Sequence, residues 1–147
     1  MIILDTNVLS ALMRQEPDIA VVRWLDDQVA ESIWITSITL FEARFGLALL
    51  PEGAHRQQLT VRFEDLLESD LENRVLLFDQ PAARQAADLA AQRKLAGRPV
   101  DMRDTFIAGI ALARHARIAT RNTRHFDDLP GMVINPWEYG SREQTLP

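Results

Sequence analysis

Three carboxylic acids in this 147-residue chain stand beside apolar residues, where an ionised side chain is costly unless its charge is compensated. Asp5 follows a run of aliphatic residues, Glu42 follows Phe41, and Asp104 lies two residues before Phe106. Clustered carboxylates repel one another and raise each other's pKa, and Mg²⁺ or Mn²⁺ relieves that repulsion through the oxygen ligands these hard cations accept. We therefore predict that Asp5, Glu42 and Asp104 line an acidic pocket that holds such an ion.

Composition excludes several other chemistries. The chain has no cysteine, and its three histidines lack the spacing of zinc ligands, so any metal must be held by oxygen. The longest uncharged stretch, residues 32–41, is half of the roughly 20 residues that a membrane span needs. The amino terminus has neither a basic region nor a cleavage site, and we expect a cytoplasmic protein without a membrane segment.

Each acid also has a structural explanation, because carboxylates are favoured in the first turn of a helix. Asp5 fits the N-cap of a helix that starts near residue 7, and Thr39 with Glu42 fits a capping box. Asp101 and Asp104 fit a cap and its first-turn acid. For Asp101 we favour the N-cap over support of a metal through water. The metal interpretation gains weight only when the three acids are taken together.

The net charge of −5 is unevenly distributed along the chain. Residues 1–92 carry 7 basic and 15 acidic side chains, residues 93–124 carry 8 and 2, and residues 125–147 carry 1 and 4. The basic segment is suited to phosphate, since contacts from Arg and Lys to the backbone dominate nucleic-acid affinity. A solvated helix face explains the same residues equally well, and both interpretations stay open.

Apolar periodicity predicts strands that alternate with helices. The predicted strands cover residues 2–4, 33–36, 75–78, 118–120 and 132–134. The predicted helices begin near residue 7, after Pro17, at Ser37 or Thr39, and near residues 54, 81 and 102, with Pro51 and Gly97 as stops. We expect one domain over residues 1–147, with a loose carboxyl-terminal tail from about residue 138.

These elements predict an α/β fold of three layers, α/β/α, in which helices cover both faces of a mostly parallel sheet of four to five strands. In such sheets the ligand site lies beyond the carboxyl ends of the strands, where the strand order reverses. Asp5 closes the first strand, Asn122 follows the fourth, and Glu42 and Asp104 lie in the first turns of helices. We expect these four side chains to converge on one edge of the sheet.

Four segments together resemble the PIN-domain family, and within it the toxins of the VapC and FitB type. Their order and spacing agree across nearly the whole chain. The segments are residues 3–7 (ILDTN), 38–42 (ITLFE), 103–109 (RDTFIAG) and 120–126 (TRNTRHF). The resemblance implies an endoribonuclease that hydrolyses RNA phosphodiester bonds with Mg²⁺ or Mn²⁺ as its cofactor.

The resemblance also implies roles for individual residues. It makes the three acids catalytic metal ligands and lines their pocket with three polar residues, Asn7, Thr120 and Asn122. Many family members have a fourth acid near the position of Asn122, so the amide favours one firmly held ion over two. Arg121 and Arg124 are candidates for binding the RNA backbone, with a salt bridge or a solvated face as the alternative. We interpret His125 as structural.

Two partners are implied besides RNA. One is a small antitoxin, VapB-like or FitA-like, that blocks the active site and binds operator DNA through its own domain, so that this chain meets DNA only indirectly. The other is a second copy of the chain in a homodimer. Phe41, Phe45 and Leu49 are candidates for the dimer interface, although we favour the core for most of them.

Two other classes were weighed against the ribonuclease. A response-regulator receiver also gathers carboxylates around Mg²⁺, but it needs a lysine at a strand end, and the only lysine is Lys94 inside a predicted helix. A catalytically silent binding module with the same fold stays open, because the fourth acid is missing.

Overall fold

Short apolar segments form the strands of the computed structural model, which describes residues 1–140. The strands are β1 (Ile2–Leu4), β2 (Ile33–Thr36), β3 (Val75–Leu76), β4 (Arg117–Ala119) and β5 (Val133–Ile134). The α-helices are α1 (Thr6–Met13), α2 (Ile19–Asp26), α3 (Ser37–Leu49), α4 (Ala54–Asp65), α5 (Gln80–Leu95) and α6 (Met102–Arg114). Short 3₁₀ helices cover Ala30–Ser32, Thr123–Phe126 and Pro136–Glu138, and a π-helical turn, Leu66–Asp70, extends α4.

The strands form one sheet in the order β3-β2-β1-β4-β5, and every neighbouring pair is parallel. In the register, Ile3 of β1 lies opposite Trp34 of β2 on one side and Ile118 of β4 on the other. The chain builds outward from β1 to β3, then returns to add β4 and β5 on the other side. The strand order therefore reverses between β1 and β4, where a doubly wound sheet opens its ligand site.

Alternation along β1 divides the core between the two faces of the sheet. Ile2 and Leu4 pack into one cluster with residues of α1, α2 and α4, and Ile3 packs into the other with residues of α5 and α6. Neighbouring side chains of a strand point to opposite faces, so a central strand with helices on both sides is apolar throughout. The predicted three-layer α/β/α architecture with a parallel sheet is confirmed.

Helices α5 and α6 approach closely at Gly109. A Cβ atom at this position would lie 2.6 Å from the carbonyl oxygen of Ala82 and 2.6 Å from the Cβ of Ala86. Only the absence of a side chain permits this distance, and Gly109 thereby sets how close α6, which carries Asp104, packs to α5.

Several element boundaries differ from prediction, and β4 ends at Ala119, one residue before the predicted Thr120. The N-cap of α3 is Thr36, one residue before Ser37 and three before Thr39, the two predicted caps, and its hydroxyl accepts the N–H of Thr39 at 3.1 Å. Strand β3 stops at Leu76 because the N–H of Phe78 donates to the Ser37 hydroxyl instead of continuing the ladder. The α-helical hydrogen bonds of α4 end at Asp65. The 3₁₀ helix Thr123–Phe126 was not predicted.

Three residues of the predicted tail, 138–140, lie in the part of the chain that the structure describes. Glu138 ends a 3₁₀ helix, and the hydroxyl of Tyr139 donates to the carboxylate of Asp27, so the tail does not begin at residue 138. The rest of it, residues 141–147, lies outside the described residues. Within residues 1–140 no helix has the length and apolar character that a membrane span requires.

Candidate active site

Asp5 stands at the point where the strand order reverses, one residue after β1. It is 4% exposed and caps α1, since its Oδ1 accepts the N–H of Thr6 at 2.8 Å. Its Oδ2 accepts the hydroxyl of Thr120 at 2.8 Å and the amide of Asn7 at 3.2 Å. The capping interpretation is therefore correct, but a cap needs only one of these donors. The other two fix the carboxylate in a buried position.

Asn7 and Thr120 join α1 to the loop that follows β4. Thr120 is fully buried, and its hydroxyl also accepts the Asn7 amide at 3.2 Å and the N–H of Asn122 at 3.0 Å. The Oδ1 of Asn7 accepts the N–H of Arg121 at 3.0 Å. Thr120 thus lies behind Asp5, while the exposed Asn122 lines the acidic cleft itself.

Glu42 reaches the same cleft from α3. The hydroxyl of Thr6 donates to its Oε1 at 3.0 Å, and a guanidinium nitrogen of Arg103 lies 3.6 Å from its Oε2. The capping box predicted for Glu42 is absent, because the cap of α3 is Thr36 and the carboxylate bonds to α1. The Glu42 side chain is only 19% exposed and faces the cleft instead of capping its own helix.

Asp104 enters from the first turn of α6, and its side chain is 17% exposed. Its Oδ2 lies 2.7 Å from Nδ1 of His125, which stands on the 3₁₀ helix after β4. Asp101 is the N-cap of α6, as predicted, since its Oδ1 accepts the N–H of Arg103 at 2.8 Å. Asp101 also lines the cleft, but its side chain is half exposed and pairs with Arg103.

Burial raises the pKa of Asp5, of Glu42 and of Asp104 above the ordinary carboxyl values. For Asp5 the hydrogen bonds from Thr120, Thr6 and Asn7 oppose this rise without cancelling it. The negative charge of Asp5 raises the pKa of both other acids further. Asp101 behaves oppositely, because the hydrogen bonds from Arg103 lower its pKa. The three predicted acids therefore interact electrostatically across one cleft.

The cleft has a volume of about 470 Å³, and its carboxylates are Asp5, Glu42, Asp101 and Asp104. Oxygen donors of this kind suit Mg²⁺ or Mn²⁺. As the side chains stand, no group of three or more acidic or histidine residues within residues 1–140 is arranged to hold an ion. Glu42 and Asp104 instead contact Arg103 and His125. The donor set fits the ion, and closing around it requires these side chains to move closer together.

Sequence reasoning missed five residues of the cleft, which are Thr6, Ser10, Arg14, Arg103 and His125. Arg14 is exposed and, within residues 1–140, lies in no ion pair. Thr6, Arg103 and His125 all lie inside the segments quoted above, next to or near the acids. Their position in those segments could have marked them as residues of the site. The contact of His125 with Asp104 was not predictable, because it depends on a turn that apolar periodicity does not reveal.

Half of the basic segment is neutralised within the fold. Arg93 pairs with Asp128, Arg98 with Asp127, Arg103 with Asp101 and Glu42, and Arg114 with Asp79. In the part of the chain that the structure describes, the other four lie in no ion pair: Lys94, Arg117, Arg121 and Arg124. The guanidinium of Arg121 lies 5.0 Å from the centre of the Trp137 ring. Neither Arg121 nor Arg124 lines the acidic cleft.

The preference for a core role of Phe41, Phe45 and Leu49 is wrong. Their exposed fractions are 58%, 50% and 68%, and the two phenylalanine rings stack with centroids 5.8 Å apart. Residues four apart share one face of a helix, and α3 turns its other face, with Leu47, to the core. An apolar stripe of three residues is therefore open to solvent.

Comparison with known proteins identifies the family. The PIN domain matches residues 2–132. A VapC ribonuclease of Sinorhizobium fredii is 44% identical over 94% of this chain and 99% of its own length, and the toxin FitB of Neisseria gonorrhoeae is 36% identical over 93% and 99%. The structure of FitAB bound to DNA superimposes with a TM-score of 0.84, 36% identity and coverage of 93% and 96%. The chain belongs to the PIN-domain family.

Proposed function

We propose that this protein is an endoribonuclease that hydrolyses RNA phosphodiester bonds with Mg²⁺ or Mn²⁺ held by Asp5, Glu42 and Asp104. One observation carries the proposal: three carboxylates of raised pKa face a single cleft where the strand order reverses. The similarity to a VapC ribonuclease over nearly the whole chain supports it. RNA is the proposed substrate, and the cytoplasm its place of action.

The chain's own residues divide the work of hydrolysis. When bound, the ion stabilises charge on the phosphate and lowers the pKa of the attacking water. Asp5 is fixed by three donors and serves as the rigid ligand, while Glu42 and Asp104 each have a partner on the open side of the cleft. A carboxylate of raised pKa is also a better proton acceptor from water near neutral pH. Hydrolysis of this kind does not require attack by the RNA 2′-hydroxyl.

Three arginines are proposed to bind the RNA backbone. Arg14 lines the cleft itself, and Arg121 and Arg124 lie on the loop and turn after β4. All three are exposed, and the described residues offer none of them an ion-pair partner. A guanidinium without a carboxylate partner is available for the phosphate oxygens that it binds well. We expect Arg14→Gln to raise the KM for RNA more than it lowers kcat.

We further propose that an antitoxin of the VapB or FitA type blocks this cleft, and that the chain forms a homodimer. The similarity to FitB, and to its structure in FitAB bound to DNA, supports the antitoxin, through which the chain would meet operator DNA only indirectly. The exposed stripe of Phe41, Phe45 and Leu49 supports the dimer. We expect a dimer by light scattering and a monomer for Phe45→Glu. An unchanged mass for the variant would remove this stripe from the interface.

The activity is tested by incubating the antitoxin-free protein with total RNA in Mg²⁺, in Mn²⁺ and in chelator. We expect discrete fragments with either ion, none in chelator, and none with Asp104→Asn. Asp88→Asn is the matched control, since Asp88 is an exposed aspartate on α5 that does not line the cleft. If the folded, metal-loaded protein cuts no RNA under any condition, the chain is instead a catalytically silent binding module.

A further inference from the structure

A buried guanidinium lies behind the acidic cleft. Arg93, on α5, is 4% exposed, and its Nε and Nη2 donate to the two carboxylate oxygens of Asp128 at 2.8 Å each. Nη2 also donates to the carbonyl oxygen of His125 at 2.9 Å, and Nη1 to the hydroxyl of Thr105 at 3.0 Å. The planar fork of arginine makes several such bonds at once, which an ammonium group cannot do in the same geometry.

These bonds connect both partners of the contact between Asp104 and His125. Thr105 directly follows Asp104 in the first turn of α6 and is 2% exposed. The carbonyl of His125 belongs to the residue whose ring nitrogen lies 2.7 Å from the Asp104 carboxylate. One side chain therefore holds the helix that carries the acid and the turn that carries its partner, although these segments are about 20 residues apart in the sequence.

Stability alone does not account for this ion pair, whose guanidinium is buried and whose carboxylate is 26% exposed. Replacing a buried salt bridge by apolar side chains of similar volume is often neutral or stabilising. A network that fixes the residues around a metal ligand has a different effect, since removing such an outer partner typically weakens metal affinity or activity by about 10- to 100-fold. Arg93 contacts Thr105, which follows Asp104, and the carbonyl of His125, whose ring lies against Asp104. Its place therefore matches the second case.

We infer that Arg93 is a positioning residue of the active site, which sets the Asp104 carboxylate for a divalent cation by holding Thr105, His125 and Asp128. This inference rests on the proposed metal-dependent function. Arg93 itself does not line the cleft. Arg93 instead fixes the distance between α6 and the 3₁₀ helix Thr123–Phe126, and thereby the position of the Asp104 carboxylate. Its removal should change the affinity for the ion, while cleavage at saturating ion recovers.

The test separates positioning from stability with the double variant Arg93→Met with Asp128→Leu, which replaces the ion pair by apolar side chains. We expect it to remain folded with a lower melting temperature, because the Thr105 hydroxyl and the His125 carbonyl lose their donor. Well below that temperature its Mn²⁺ affinity, measured by electron paramagnetic resonance of free Mn²⁺, should fall about 10- to 100-fold. The Mn²⁺ concentration that gives half-maximal RNA cleavage should rise by the same factor. Arg93→Lys, which keeps the charge without the fork, should give the same loss and serves if the double variant does not fold.

The matched control is Arg98→Gln with Asp127→Asn. This exposed pair joins the residues after α5 to the same turn, but it does not reach Thr105 or His125. We expect wild-type Mn²⁺ affinity for it. Wild-type affinity in the Arg93 variants, with Mn²⁺ binding intact in the parent protein, would overturn the positioning role and leave the proposed function standing. Absence of Mn²⁺ binding in the parent protein would overturn both.

Discussion

The hydroxyl of Thr120 is a sensitive test of how Asp5 is held. It donates to the Asp5 carboxylate and accepts the Asn7 amide and the Asn122 N–H, in a fully buried position. Thr120→Val keeps the shape of the side chain and removes all three bonds. A hydrogen bond to a charged group contributes about 1.5–3 kcal/mol and a neutral one about 0.5–1.5 kcal/mol, and the groups left behind are buried.

The added methyl group recovers about 1 kcal/mol through apolar burial, so we expect a net loss of about 3 kcal/mol in the free energy of unfolding. For a chain of this size, that loss lowers the melting temperature by roughly 6–12 °C. Without its strongest side-chain donor, Asp5 should also have a pKa higher still than in the parent protein.

Urea unfolding in chelator measures the change without interference from metal binding. Thr60→Val is the matched control, because among residues 1–140 the Thr60 hydroxyl bonds only to the Arg56 carbonyl one turn earlier in α4, a contact whose loss costs a helix little. We expect the control to stay within about 0.5 kcal/mol of the parent protein. A loss below about 1 kcal/mol for Thr120→Val would show that this hydroxyl does not hold Asp5 as described.

Three further predictions concern the acids and the packing behind them. Asp104→Asn should stabilise the metal-free protein by about 0.5–2 kcal/mol in urea unfolding, since it removes a buried charge repelled by Asp5. The variant should also lose the stabilisation by Mn²⁺, which for the parent protein is about 2.7 kcal/mol at a Mn²⁺ concentration of 100 times the Kd. A destabilised variant would contradict the repulsion, and a retained Mn²⁺ effect would contradict the role of Asp104 as a ligand. Gly109→Ala should destabilise by about 1–3 kcal/mol, because the new methyl overlaps α5; unchanged urea unfolding would refute this contact. The acids of raised pKa bind protons more tightly in the folded state than in the unfolded state. Their contribution to the stability of the metal-free protein should therefore grow as the pH falls through the raised pKa values. Cleavage at subsaturating Mn²⁺ should be lost over the same pH range, which lies above the ordinary carboxyl pKa values of 3.8 and 4.5. If the cleavage rate instead fell only near those ordinary values, burial would not raise the pKa of these acids.

Local patterns predicted much of the fold because they are dictated by neighbouring residues. The aliphatic runs of β1 and β2 fall where predicted, and the parallel order brings Asp5 to the reversal of strand order. The convergence of Asp5, Glu42 and Asp104 followed from that geometry alone. These features depend on periods of two or about four residues and on the rule that parallel strands end at one edge.

Contacts between distant segments were not predictable in the same way. Glu42 fits a capping box in its own segment, but its hydroxyl donor is Thr6, on another helix. The contact of His125 depends on a 3₁₀ helix that Arg93 holds from α5, through its bonds to the His125 carbonyl and to Asp128. The exposure of Phe41 depends on which side of α3 meets the sheet. Apolar character alone does not distinguish a core face from an exposed one.

The central claim is that an ion held by the three acids carries out RNA cleavage. The most direct test is the cleavage rate of RNA as a function of free Mn²⁺, measured beside Mn²⁺ occupancy on the same protein and on Asp104→Asn. We predict that rate and occupancy rise together in the parent protein, and that both shift to far higher Mn²⁺ or disappear in the variant. Cleavage that persists at full rate in chelator, or that is unchanged in Asp104→Asn, would contradict the account.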